Sequence, residues 1–149
     1  METSIRNYKN LRKILGGSGV IKRPINNEFD LIELAREGLS VLSVYSLKDY
    51  LDTQLDFMGQ ILNVTPRTIQ RKFKGKKKLN VGESEQAIEV AEVINRGQQV
   101  FGDLDTFRKW METPVYALKG KKPIMLLDTT FGTKMLLDEL GRIEHGIFS

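Results

Sequence analysis

DFMGQILNVTPRTIQRKFKGKKKLN, residues 56–80, is the stretch on which the fold is decided. Apolar residues at helical spacing (Met58, Ile61, Leu62) stop at Asn63-Val64-Thr65-Pro66 and resume with Ile69 and Phe73 before Gly75. Two helices crossing steeply across a short turn make specific demands. The first helix needs a small residue at the crossing, and Gly59 is there. The turn needs a residue that accepts left-handed backbone angles, and asparagine, here Asn63, follows glycine in that ability. An apolar residue, Val64, then turns inward, and Thr65 caps the second helix with Pro66 at N1, where its missing N–H costs nothing. Ile69 buries the second helix against the first. The spacing predicts a helix-turn-helix whose second helix presents Arg67, Thr68, Gln70, Arg71 and Lys74 outward.

Those side chains suit a DNA groove. Arginine bonds guanine O6 and N7 in pairs, and glutamine does the same for adenine N6 and N7. Lys76, Lys77 and Lys78 follow in a loop suited to phosphates. From Phe57 to Gly82 there are seven basic residues (Lys72 among them) and no acidic one, whereas the rest of the chain has sixteen basic against nineteen acidic. A positive segment in a slightly negative protein implies a local polyanion site, or else a solvated lysine loop. The expected DNA-binding set is Thr65, Arg67, Thr68, Gln70, Arg71, Lys74, Lys76, Lys77 and Lys78.

Outward from this centre the chain reads as mainly α. Tyr8, Leu11 and Leu15 make a short helical pattern that ends in Gly16-Gly17-Ser18-Gly19, expected to be a flexible joint. Asn27 caps a helix carrying Phe29, Leu31, Ile32, Leu34 and Ala35, which Gly38 stops. Ser46 is read as the next start, followed by Leu47, Tyr50, Leu51 and Leu55 at helical spacing. Ser84 is read as the cap of a longer helix with Ala87, Val90, Ala91, Ile94 and Phe101. Asp103 or Asp105 begins one with Leu104, Phe107, Trp110 and Met111. After a loop with at most a very short extended piece near 115–122, Pro123 opens a brief helix, and Thr129 or Thr130 caps the last, which bears Phe131, Met135, Leu136, Leu140 and Ile143. The expected division is 1–38 N-terminal helical or flexible region, 39–97 helix-turn-helix domain and 98–149 C-terminal domain.

Several function classes are unpromising. The longest aliphatic run, Ile124 to Leu127, falls far short of the roughly 20 residues that a membrane span needs, and no signal peptide is discernible. With no cysteine and a cytoplasmic location expected, disulfides and thiolate metal sites are excluded. His145 is the sole histidine, no serine elbow or phosphate loop is present, and there is no HExxH or calcium loop. No enzyme, cofactor, metal or small-molecule substrate is therefore expected.

The tail PIMLLDTTFGTKMLLDELGRIEHGIFS (123–149), with its LLDT turn, Gly132 and closing LGRIEHG, resembles the Xre/MbcA/ParS family of type II antitoxins. VFGDLDTFRKWMETPVYALKGKKP (100–123) is similar to the preceding family stretch, and NVTPRTIQRK (63–72) to its helix-turn-helix, with Asn63 in place of the more usual turn glycine. The likeness covers about Gly38 to Ser149. It implies an antitoxin partnered by a RES-domain toxin that degrades NAD, blocking the toxin's active site and, as a homodimer on operator DNA, repressing its own operon. Within the tail, Arg142, Glu144, His145, Gly146, Ile147, Phe148 and Ser149 are the expected toxin-binding residues, since a guanidinium suits a cleft built for NAD phosphates. Against this, a single histidine near a helix end often only caps it, and Ile147 and Phe148 would also suit packing on the domain. The rival reading is a free-standing transcription regulator whose C-terminal third senses a ligand or only dimerises.

Overall fold

The computed structural model describes residues 7–148, with side chains to Gly146. It contains α1 (Tyr8–Ile14), α2 (Glu28–Glu37), α3 (Val41–Leu51), α4 (Leu55–Leu62), α5 (Pro66–Lys74), α6 (Val81–Phe101), α7 (Leu104–Met111), two short 3-10 turns (Tyr116–Leu118 and Pro123–Leu126) and α8 (Thr130–Phe148). The mainly α expectation holds. Among the described residues the only extended pairings are isolated bridges, Ser40 with Lys78 and Val115 with Lys121, the second inside the piece expected near 115–122.

One hydrophobic core joins all eight helices, and α6 runs through its middle. Its residues Ala87, Val90, Ala91, Val93 and Ile94 are fully buried. Polar side chains along α6 fix what packs around it. Ser84 Oγ accepts the Leu39 amide at 2.9 Å, Asn95 Oδ1 accepts the Asn10 side-chain amide at 2.8 Å, and Glu89 accepts the Thr133 hydroxyl at 2.6 Å. Buried polar groups with partners cost little and pin one arrangement.

Four expectations are corrected. The α3 helix starts at Val41 behind the cap Ser40, whose hydroxyl accepts the Leu42 amide. Ser46 is interior, its hydroxyl donating to the Ile14 carbonyl at 2.7 Å and so satisfying the open end of α1. The pattern taken as one run from Ser46 to Leu55 is broken at Asp52, in the left-handed region at φ 54°, so Leu55 begins α4. At α6 the cap is Asn80, in a reciprocal capping box with Glu83, while Ser84 is buried inside the helix. The Gly16–Gly19 stretch is a closed turn: the Gly17 amide bonds the Arg12 carbonyl and the Ile21 amide bonds the Gly17 carbonyl at 2.8 Å. The Arg12 guanidinium holds the exit of that turn through two bonds to the Ile21 carbonyl. Asn27 and Asp103 cap α2 and α7 as expected, and Thr129 Oγ1 accepts the Gly132 amide at the start of α8.

The Asp103 carboxylate accepts the Thr106 amide and then the Thr106 hydroxyl, and these bonds hold its pKa below the ordinary carboxylate range. A lowered folded-state pKa adds stability that is complete above the unfolded carboxylate value and is lost as pH falls through the lowered one. Asp103→Asn, which still caps, is expected to flatten the acid limb of a melting-temperature profile in that window; an unchanged limb would assign it to other carboxylates.

Candidate DNA and toxin interfaces

The turn between α4 and α5 is built as its residues demand. Asn63 adopts φ 59° and ψ 44°, and the Val64 amide closes back onto the Gly59 carbonyl at 2.9 Å. A Cβ on Gly59 would lie 2.5 Å from the Val64 carbonyl oxygen, so only glycine lets the chain pass this closely. Val64 is half-buried against the core rather than fully enclosed. Thr65 Oγ1 accepts the Thr68 amide at 3.1 Å and donates to the Thr68 hydroxyl at 2.9 Å, so these two hydroxyls are engaged in capping. Ile69 is fully buried. Arg67, Gln70, Arg71 and Lys74, spaced three and four residues apart, lie on the opposite, exposed side of α5.

Lys76, Lys77 and Lys78 are exposed in the following loop. Among the described residues no carboxylate pairs with Arg67, Arg71, Lys74 or these three lysines. Lys72 differs: it is half-buried and pairs with Glu83 at 3.1 Å, rooting α5 on the first turn of α6. Phe73, expected on the apolar side, is half-exposed and meets Tyr45 edge-on at 5.5 Å. This basic face is open, unneutralised and held from behind, which suits phosphate and base-edge contact.

The second surface is on α8. Its buried side carries Thr133, Leu136 and Leu140. Phe131 (83% exposed) and Met135 (49%) form with Asp138 and Arg142 a stripe on the outer side. Phe131 and Met135, expected with the helix's apolar pattern, lie away from the core; α8 carries two apolar stripes, and Leu136 and Leu140, with Leu137 beside them, are the one that meets it. Ala117, Leu118, Met135, Asp138 and Arg142 line one shallow hollow, and the neighbouring Tyr116 is almost fully exposed.

The expected tail residues do not act alike. Arg142 is exposed and paired with Glu139 one turn back. Glu144 turns inward to Arg96 of α6 at 2.6 Å, clamping the end of α8. His145 and Gly146 are exposed. The side chains of Ile147 and Phe148, and all of Ser149, lie outside the described residues. Trp110 is half-buried against Phe101 at 5.6 Å between ring centres.

Among the described residues no group of histidine and carboxylate side chains is placed to hold a metal, and no helix is long and apolar enough to cross a membrane.

Comparison with known proteins finds a matching domain family in each of two segments of the chain. Residues 30–92 fit the family model of the antitoxin Xre-like helix-turn-helix domain, and residues 96–146 that of the antitoxin Xre/MbcA/ParS C-terminal toxin-binding domain. Antitoxin Xre of Photorhabdus laumondii subsp. laumondii is 30% identical over 117 residues, covering 78% of this chain and 79% of the relative. The Prs ADP-ribosylating antitoxin of Sphingobium sp. is 25% identical over 129 residues, covering 80% and 81%. The fold is similar to a chain in the crystal structure of the M. tuberculosis MbcT–MbcA toxin–antitoxin complex, with a TM-score of 0.54, 20% identity, and coverage of 84% of this chain and 100% of that one.

Proposed function

This chain belongs to the Xre/MbcA/ParS antitoxins, and from that premise we propose that it neutralises a RES-domain, NAD-degrading toxin by covering the toxin's active site and represses its own operon by binding operator DNA. It is an antitoxin with a helix-turn-helix, and its partner is a cognate toxin. The observation that carries the finer reading is the placement of two exposed faces on one core: the unneutralised basic side of α5, and the Phe131–Arg142 stripe within the matched toxin-binding segment. In this reading α8 docks on the toxin, and Arg142, His145 and Gly146, followed by Ile147, Phe148 and Ser149, reach its NAD cleft. Glu144 serves through its clamp on Arg96, holding that end of α8 in position. The protein works in the cytoplasm as a homodimer, and residues 39–97 and 98–149 divide the two tasks.

Three measurements test this. Co-expression with the product of the adjacent reading frame is expected to restore growth and the cellular NAD level that the toxin alone depletes; persistent NAD loss would overturn neutralisation. Light scattering is expected to give twice the chain mass. Arg67→Ala or Arg71→Ala is expected to weaken binding to the DNA upstream of its own reading frame by about 1–3 kcal/mol while sparing toxin binding. Parent-like affinity in both variants would remove α5 from the DNA interface.

A second reading concerns the toxin's chemistry and is favoured by the Sphingobium relative's name. That relative is called an ADP-ribosylating antitoxin, and in this second reading the toxin moves ADP-ribose from NAD onto a protein instead of degrading free NAD. Purified toxin with NAD and no protein acceptor separates the two: steady NAD consumption supports degradation, and labelling only on addition of an acceptor supports transfer.

A further inference from the structure

The lysine loop does not hang free. The Leu79 amide bonds the Leu39 carbonyl at 2.8 Å, and Lys78 bridges Ser40, which fastens the loop to the start of α3. On one side of this fastening lies a hollow of about 560 Å³ lined by Leu42, Phe73, Lys74, Lys76, Lys77 and Lys78. On its other side lies one of about 490 Å³ lined by Lys22, Arg23, Glu37, Leu42 and Lys78. The two share Ser40, Leu42 and Lys78 and so adjoin across this fastening, as two parts of one basic trough. It runs from the end of α5 to the segment between α1 and α2, before residue 30, where the helix-turn-helix match begins. That segment is held in place by the Arg12 bonds to the Ile21 carbonyl.

Two carboxylates meet the cations of this trough. Glu83 is taken up by Lys72, and Glu37 pairs with Arg23 at 3.1 Å on the rim. Among the described residues Lys22, Lys74, Lys76, Lys77 and Lys78 have no carboxylate partner. We infer that the DNA interface extends along this trough, so that Lys22 and Arg23 contact phosphates flanking the duplex segment read by α5. The inference rests on the DNA-binding reading above. The trough is continuous with the α5 face, and its charge is sequence-independent in character. Its one aromatic ring, Phe73, is engaged by Tyr45, which leaves no row of rings on which single-stranded bases would stack. A positive trough with an apolar floor therefore fits a sugar–phosphate strand of a duplex.

The test uses the full chain and nested duplexes cut from the DNA upstream of its own reading frame, titrated by anisotropy at stepped salt. Lengthening the duplex by about one helical turn beyond the α5 contacts is expected to raise the parent's affinity. Lys22→Ala is expected to lose roughly threefold on the longer duplex only and to reduce the salt slope by about one. Glu37→Gln, which releases Arg23, is expected to shift affinity on the longer duplex the other way and to steepen the slope. Both positions are exposed, so neither change threatens folding. Parent-like affinity and slope in both variants on every length would overturn the extension, while a loss in Arg71→Ala on every length would leave α5 as the reader. A parent that binds no duplex, or prefers the separated strands, would overturn the extension together with the reading on which it rests.

Discussion

Phe131→Asp is expected to weaken toxin binding by about 3 kcal/mol or more, roughly a hundredfold in Kd, with unchanged stability and operator affinity. The ring lies in the first turn of α8, 83% exposed, so the protein's own fold gains almost nothing from it. An aromatic ring left in water beside Met135 is an anchor in search of a pocket, and truncating such anchors accounts for most of the loss when interfaces are scanned. A carboxylate there would also have to be desolvated without a partner. Calorimetric titration of purified toxin checks this; parent-like affinity would remove the outer stripe of α8 from the toxin interface. Ending the chain after Glu112 is a poorer test, because it also strips Leu118, Ile124, Leu127, Leu136 and Leu140 from the core.

Phe107→Ala is expected to cost about 3–5 kcal/mol of folding stability. The ring is fully buried where α7 meets α6, and it sits on Gly97 so closely that a Cβ there would be 2.0 Å from a ring carbon. Gly97→Ala should therefore cost about 3 kcal/mol on its own, since ring and methyl cannot share the space without moving the helices apart. The double variant is the discriminating one. With the ring gone the Gly97→Ala methyl enters the vacated volume, so its loss should be clearly smaller than the sum of the single losses. Urea unfolding of the three variants gives the comparison, and strict additivity would contradict this packing. The same helix also reaches the helix-turn-helix half of the chain, because Arg108 on α7 donates to the Tyr50 and Asp49 carbonyls at 2.8 Å and so ties the C-terminal third to α3.

What could be read from the sequence is what local chemistry decides. The turn at Asn63, the cap at Thr65 and the proline at N1 each respond to neighbours within four residues, and the structure places them as the spacing predicts. The misreadings share the opposite property. Ser46 and Ser84 look like caps in isolation, but their hydroxyls serve Ile14 and Leu39, 32 and 45 residues away. Phe131 and Met135 carry the same apolar label as Leu136 and Leu140, and only the position of α6 determines which stripe is covered. Glu144 is expected among the toxin-binding residues, and its pairing with Arg96, 48 residues away, depends on how α8 packs on α6. Lys22 and Arg23 stand more than 40 residues before α5, so their place beside its lysine loop depended on the closed turn at Gly17 and on the Leu39–Leu79 bond.

At its first turn α6 receives α5 through the Glu83–Lys72 pair, and near its last it receives α8 through Arg96–Glu144. As 21 unbroken residues it is a strut about 30 Å long between the two working ends. One unbroken helix has no loop between those ends at which one could swing in answer to the other. A bound toxin would then alter operator occupancy by counting rather than by reshaping: it would set how many copies are tethered together, and hence the avidity of the assembly for repeated sites.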